Sequence, residues 1–396
     1  MPLALFALFF CAWTALAEEK QPQKPLFVVD LEHEFPRAMK TFEEARKLIL
    51  ENYYTVTVDE EALYWAAIEG MLRHVSPPES PGLGKLYEPE VYSEVEQGLK
   101  GVKLSLGITS SFDTNDGSLT VTEIDPGSPA EGVLQPRDRI MRIGDKALKG
   151  LAVADIDDLL QGEAGTEVAL TLVRDISVET YVLTRAEYSA DNLTMTVIDD
   201  VVGLLEIRKV TADMSKQVVT ELDKLKERKI EKLLLDLRSN TGGVFIESLR
   251  IAELFLPAKT VMLRTLKHGD KVQNYVSSTE EPYEFDIIIL VNENTASSAE
   301  IIVAALQDAG KARVVGKKTY GKGVFEKTFK LENEFRVKFI IGAMYSPKGK
   351  TWQSKGVLPD FAVEQELKAL TALRKHPVST RMQKDVPLIT AYKLLK

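Results

Sequence analysis

Two short runs constrain the fold of this chain more than any other feature: Lys232-Leu233-Leu234-Leu235-Asp236-Leu237 and Ile287-Ile288-Ile289-Leu290-Val291. A strand with one wet face alternates apolar and polar residues. A run that is apolar almost throughout must be covered on both faces, as in a parallel sheet sandwiched by helices. Segments of helical period lie between and after the runs: Ser215 to Arg228, Ile246 to Leu256, and the stretch after Ser297. Gly203-Leu204-Leu205-Glu206-Ile207 supplies a further strand. The expected core is α/β with a mainly parallel sheet.

Elsewhere the period changes. Phe35 to about Gly98 is helical, with Phe42, Ala45, Leu48 and Ile49 on one face and Leu63, Ala66, Ala67, Met71 and Leu72 on another. Gly101 to about Glu187 alternates like strands and is broken by turns, which predicts a compact β-rich domain; Asp125 to Ala130 reads as a turn leading into a short helix. Leu367 to Lys396 is helical and charged. The expected divisions are a leader at 1–17, an N-terminal helical segment at 18–97, a β-rich domain at 98–188, the α/β core at 189–363 and a C-terminal helical segment at 364–396.

The leader is apolar from Leu3 to Leu16 and ends in an A-x-A site, Ala15-Leu16-Ala17. It is too short to span a bilayer and reads as a secretory signal peptide; the plainer alternative is a buried N-terminal helix. Cys11, the one cysteine, would leave with it. The mature chain then has no disulfide, no thiolate metal site and no cysteine nucleophile, which fits an oxidising compartment such as a bacterial periplasm. The 50 basic residues are dispersed among 59 acidic ones, so no nucleic-acid surface is expected.

In a parallel sheet, sites form where strands end. The first run leads into Arg238-Ser239-Asn240-Thr241-Gly242-Gly243, and paired glycines let backbone N–H groups face outward, as an oxyanion hole requires. The second leads into Asn292-Glu293-Asn294-Thr295-Ala296-Ser297-Ser298 and then a helix. A serine at that turn is placed as a nucleophile, and the N–H of Ser298 has no intrahelical partner. Gly242, Gly243 and Ser298 are therefore the candidate oxyanion donors. The plainer readings are a helix cap at Ser297, Asn294, Thr295 or Ser298, and an ordinary glycine turn. Lys322, in Thr319-Tyr320-Gly321-Lys322-Gly323, is a candidate base if sheltered from water, and otherwise a solvated loop lysine. None of His33, His74, His268 and His376 stands beside an obvious nucleophile, and no G-x-S-x-G elbow occurs. Metal-ligand spacings and phosphate-cradling loops are absent too, so neither metal nor cofactor is expected.

Taken together, these segments resemble the carboxy-terminal processing peptidases, tail-specific Ser-Lys proteases with an inserted PDZ domain. The likeness rests on Asp236 to Gly243, on Asn294 to Ile301 with Ala304 to Asp308, on Thr319 to Gly323, and on Tyr345 to Lys350 with Lys355 to Asp360. Gly127-Ser128-Pro129-Ala130 and Leu134 to Ile140 resemble PDZ segments. The resemblance implies an α/β peptidase core, an inserted β-rich PDZ domain and an N-terminal helical segment. It makes Ser297 the nucleophile and Lys322 the base. Glu326 stands where the family has a glutamine that orients the lysine, and a carboxylate there favours the ammonium form. Val102, Leu104, Leu106, Gly107 and Ile108 become peptide-binding candidates, with Gly101–Leu104 and Ser105–Ile108 both open as the carboxylate loop. The implied function is an exported endopeptidase that cleaves proteins near or from their C-terminal tails. The alternative is a weak or inactive scaffold that binds tails without cutting. Implied partners are substrates with unstructured C-termini; an adaptor and self-association are left open. The implied location is the periplasm, with peripheral membrane attachment open.

Overall fold

A computed structural model describes residues 31–396 apart from 55–57, 79, 114–115, 126 and 190, and the leader at 1–17 lies outside the described residues. The chain divides into two units, 1–67 and 68–396. The first contains α1 (Leu31–Asn52) and the start of α2 (Glu60–His74), joined where the ring of Phe42 meets that of Tyr64 and the Arg46 guanidinium lies over Tyr64. No helix among the described residues is long and apolar enough to cross a membrane.

The second unit takes up the rest of α2, followed by β1 (Lys85–Tyr87), α3 (Pro89–Lys100) and a β-rich stretch. That stretch holds β2 (Val102–Ser105), β3 (Ile108–Asp113), β4 (Ser118–Ile124), β5 (Arg139–Ile143), β6 (Lys146–Ala147), α4 (Val153–Leu160), β7 (Glu167–Arg174), β8 (Ser177–Thr184) and β9 (Ala186–Ser189). Strands β3-β4-β5-β7-β8 form one antiparallel sheet, with β6 on β5, around Leu119, Val121, Ile140, Leu170 and Leu172. β2 and β9 form a separate antiparallel ribbon. The helix expected after Asp125 is instead a series of turns. Gly127 and Gly132 both take positive φ (73° and 74°), which breaks a helical path.

The core comprises β10 (Leu193–Ile198), β11 (Val202–Ile207), α5 (Met214–Glu227), β12 (Lys232–Asp236), α6 (Phe245–Glu253), β13 (Val261–Lys267), β14 (Lys271–Val276), β15 (Asp286–Val291), α7 (Ser298–Asp308), β16 (Ala312–Gly316), β17 (Val324–Lys330), β18 (Arg336–Tyr345) and β19 (Phe361–Ala362). Helices α8 (Leu367–Arg374), α9 (Val378–Lys384) and α10 (Val386–Leu395) close the chain. Alternation explains the two apolar runs. Leu233, Leu235, Ile287 and Ile289 pack with residues of α5, α6 and α7, while Leu234, Ile288 and Leu290 pack with Leu388, Ala391 and Tyr392 of α10. Each such leucine or isoleucine contributes roughly 1.5–3 kcal/mol by burial.

The expectation of a mainly parallel sheet needs correction for the core as a whole. One sheet has the order β10-β11-β12-β15-β16-β19, with an antiparallel first pairing and parallel pairings thereafter. A second sheet, of β1, β13, β14, β17 and β18, is antiparallel in every pairing. The core is therefore mixed. Its candidate residues sit where β12 and β15 end side by side, Asp236 opposite Leu290, and in the loop that feeds β17.

Candidate active site

The chain ends of β12 and β15 are fastened together. Ser239 N donates to Asn292 Oδ1 (2.7 Å), Thr295 Oγ1 to the Leu237 carbonyl (2.8 Å), and Ala296 N to the Asn240 carbonyl (2.9 Å). This brings the Gly242 turn against the start of α7. A Cβ placed on Gly242 would lie 2.9 Å from Ser298 N and 3.0 Å from Ser297 Cβ. Gly242 also has φ +95°, so only glycine fits without strain. Its own N–H is taken by Asn240 Oδ1 (2.8 Å). That corrects one expectation: Gly242 gives the close approach, not the donor. Among the described residues, Gly243 N and Ser298 N have no hydrogen-bond acceptor. Two helix N-termini, of α6 and α7, begin within two residues of these amides.

Ser297 is no ordinary cap. It has φ 56° and ψ −122°, a region that costs an L-residue about 1–3 kcal/mol. Its hydroxyl makes no cap bond. The cap works in reverse: Glu300 Oε2 accepts the Ser297 N–H at 2.8 Å. The fully buried Glu300 carboxylate also accepts from Thr319 Oγ1 (2.5 Å), Gly321 N (2.8 Å) and Lys322 N (2.9 Å). Burial pushes its pKa up, while the four donors pull it back toward the charged form. Glu300 thus ties the serine to the lysine loop. Ser298 Oγ, beside it, is buried with no partner among the described residues.

Lys322 is only 21% exposed, and its Nζ donates to Glu326 Oε1 at 2.7 Å, Glu326 being 12% exposed. No hydrogen bond joins Lys322 Nζ to Ser297 Oγ among the described residues. A register shift between Phe325 and Glu326 in β17 marks the bulge from which Glu326 meets the lysine. A cavity of about 510 Å³ opens alongside, lined by Leu83, Thr241, Ala296, Tyr320, Lys322 and Gln353, among others.

Behind the turn lies a buried ionic network that sequence reasoning missed. Arg238 donates to Asp236 (Nη2–Oδ2 2.7 Å) and to both oxygens of Asp385 (2.7 and 2.9 Å). Arg381 pairs with Glu206 at 2.8 and 3.0 Å, and Arg374 with Asp236 at 3.3 Å. Burial opposes charge on Asp236, yet Arg238 and Arg374 hold its carboxyl well below the usual range. The charged Asp236 and Arg238 were visible in sequence; their partners, far along the chain, were not.

Of the peptide-binding candidates, Val102 and Leu104 belong to the β2–β9 ribbon, opposite Ser189 and Glu187. Leu106 and Gly107 instead form the turn entering β3, the edge strand of the larger sheet, and Ile108 is its first residue. Gly107 N donates to Ser105 Oγ (3.0 Å), which meets Tyr188 OH (3.2 Å); that hydroxyl donates to Asp125 (2.6 Å). Burial, then Asp125, pushes the Tyr188 phenol up to about 12.

Residues 201–363 match peptidase family S41, and residues 120–174 match a PDZ domain. The "Probable CtpA-like serine protease" of Staphylococcus aureus strain N315 is 30% identical over 329 residues, 82% of this chain and 65% of that protein. Its namesake in Staphylococcus saprophyticus is 28% identical over 330 residues, 83% of this chain and 66% of that protein. The chain thus spans slightly under two thirds of the length of these relatives. Among solved structures, the photosystem II D1 C-terminal processing protease superposes with a TM-score of 0.51 at 22% identity, over 82% of this chain and 92% of that one, a likeness of fold. On these matches, residues 201–363 resemble peptidase family S41 and residues 120–174 resemble a PDZ domain.

Proposed function

We propose that this chain is an exported serine endopeptidase that cleaves proteins near or from their C-terminal tails. The observation that carries the reading is the strained Ser297, its hydroxyl unused by the helix cap, beside the acceptor-free amides of Ser298 and Gly243. Lys322 Nζ takes the hydroxyl proton as Ser297 Oγ attacks a peptide carbonyl. The oxyanion is held by the two amides, each worth about 2.7–4 kcal/mol in the transition state. The C–N bond breaks as Lys322 returns the proton to the leaving amine, and water releases the acyl group. A substrate C-terminus adds to edge strand β3, with its carboxylate at Leu106-Gly107-Ile108 once the Gly107 N–H is released from Ser105 Oγ. Support for export is the apolar leader with its A-x-A site, and a chain whose one cysteine leaves with that leader suits a periplasmic location. An adaptor and self-association remain part of the proposal on family resemblance alone.

The test incubates mature protein with an unfolded substrate bearing an apolar C-terminal tail, and separately with a fluorophosphonate probe. Wild type is expected to digest the substrate and to be labelled at Ser297, with both signals lost in Ser297→Ala. Equal, negligible activity in the two proteins, with no labelling, would sink the reading.

Lys322 must leave Glu326 to reach Ser297. Glu326→Gln keeps an acceptor but removes the charged partner that draws Lys322 Nζ away from Ser297. Labelling of Ser297 at neutral pH is expected to become several-fold faster. Equal or slower labelling contradicts an inhibitory role for that carboxylate.

A further inference from the structure

The backbone on either side of Lys322 has no free polar group. The peptide plane before it contains the Gly321 carbonyl and the Lys322 N–H. The first accepts from Ser354 N (2.8 Å) and the second donates to Glu300 Oε2 (2.9 Å). The plane after it contains the Lys322 carbonyl and the Gly323 N–H. The first accepts from the Trp352 indole Nε1 (3.1 Å) and the second donates to Gln353 Oε1 (2.7 Å). Three of these four partners come from three consecutive residues, Trp352-Gln353-Ser354. The loop reaches them only because both flanking residues are glycine. A Cβ on Gly321 would lie 2.7 Å from Gly356 N, and one on Gly323 would lie 2.7 Å from Gln353 N.

We infer that Trp352-Gln353-Ser354 is a positioning clamp for the base. The inference rests on Lys322 being that base. The two soft backbone torsions of Lys322 are rotations of these two planes about its Cα. With all four polar groups engaged, neither plane turns without breaking a hydrogen bond, so the Cα–Cβ direction is fixed and only the side-chain torsions remain. Those torsions carry Nζ between Glu326 and Ser297. Trp352 is 3% exposed, so its indole is itself held by packing. Gln353 also lines the cavity beside Ser297, so the clamp and the substrate space share a wall. Nothing in the local sequence announces this role, because the contacts join residues 30 or more apart.

The test uses Trp352→Phe, which keeps an aromatic ring and drops the N–H, and Gln353→Leu, which keeps the length and drops the acceptor. Five quantities are read: kcat and KM on the unfolded substrate, the rate of fluorophosphonate labelling, amide hydrogen exchange over residues 319–325, and the melting temperature. Each variant is expected to lower kcat and labelling about tenfold, to leave KM within twofold, and to speed exchange at Lys322 and Gly323. A purely structural role would lower the melting temperature without this split between kcat and KM. Unchanged labelling and kcat in both variants overturns the clamp, whether or not exchange rises. If wild type is not labelled, the clamp and the Ser-Lys reading fall together; if wild type is labelled and the variants match it, only the clamp falls.

Discussion

Gly242→Ala is expected to reduce acylation of Ser297 about 100- to 1000-fold, because the methyl obstructs the Ser298 amide and losing access to one oxyanion donor costs about that much. The added methyl would stand 2.9 Å from Ser298 N and 2.9 Å from the Ala296 carbonyl, in the space between the turn and the nucleophile. A carbonyl oxygen cannot occupy that space together with the methyl. The left-handed backbone at φ +95° adds about 1–2 kcal/mol of strain, modest beside the catalytic effect. Labelling kinetics and thermal unfolding separate the two. A folded variant acylated at the wild-type rate would show that the oxyanion binds elsewhere.

The second large effect concerns stability. Asp385→Ala leaves both terminal nitrogens of the buried Arg238 without their Asp385 partner, a change that costs about 3–5 kcal/mol for a broken buried pair. It also removes the cap that accepts Leu388 N at the start of α10 (3.2 Å). A fall of about 10 °C in melting temperature is expected, with weaker labelling at Ser297, because Arg238 leads into the Gly242 turn. A change below about 2 °C would show that Arg238 finds other partners. The same network predicts acid sensitivity. Asp236 is held below its unfolded pKa of about 3.9, so its stabilisation is complete at neutral pH and drains away as the pH falls toward the folded value.

The parallel strands were legible because both faces are buried and no polar residue interrupts Leu233 to Leu235 or Ile287 to Val291. The antiparallel sheet was not. β14 is exposed at five of its six positions and β18 is half-buried along nearly its whole length, so neither carries a clean period. Lys271, Lys338 and Arg336 further blur the pattern. Ser297, Lys322 and the glycine pair stood out from their local settings. Which of the two turn amides is unoccupied depends on the side chain of Asn240, and that is a matter of three dimensions. Glu300 could be read as a cap from its place three residues into the helix. That its other oxygen reaches Thr319 and Gly321 could not, because the loop's return path is set by tertiary packing.

The link between Arg238 and Asp385 joins residues 147 apart. Contacts of such separation form late, since the loop between them must close before they stabilise anything. A ribosome delivers Ser297 and Lys322 before Asp385. Until α10 docks, the strand that carries the Gly242 turn is uncovered on one face, and its arginine has Asp236 but not Asp385. A half-made chain therefore holds Ser297 and Lys322 before Asp385 closes the ionic network behind the Gly242 turn.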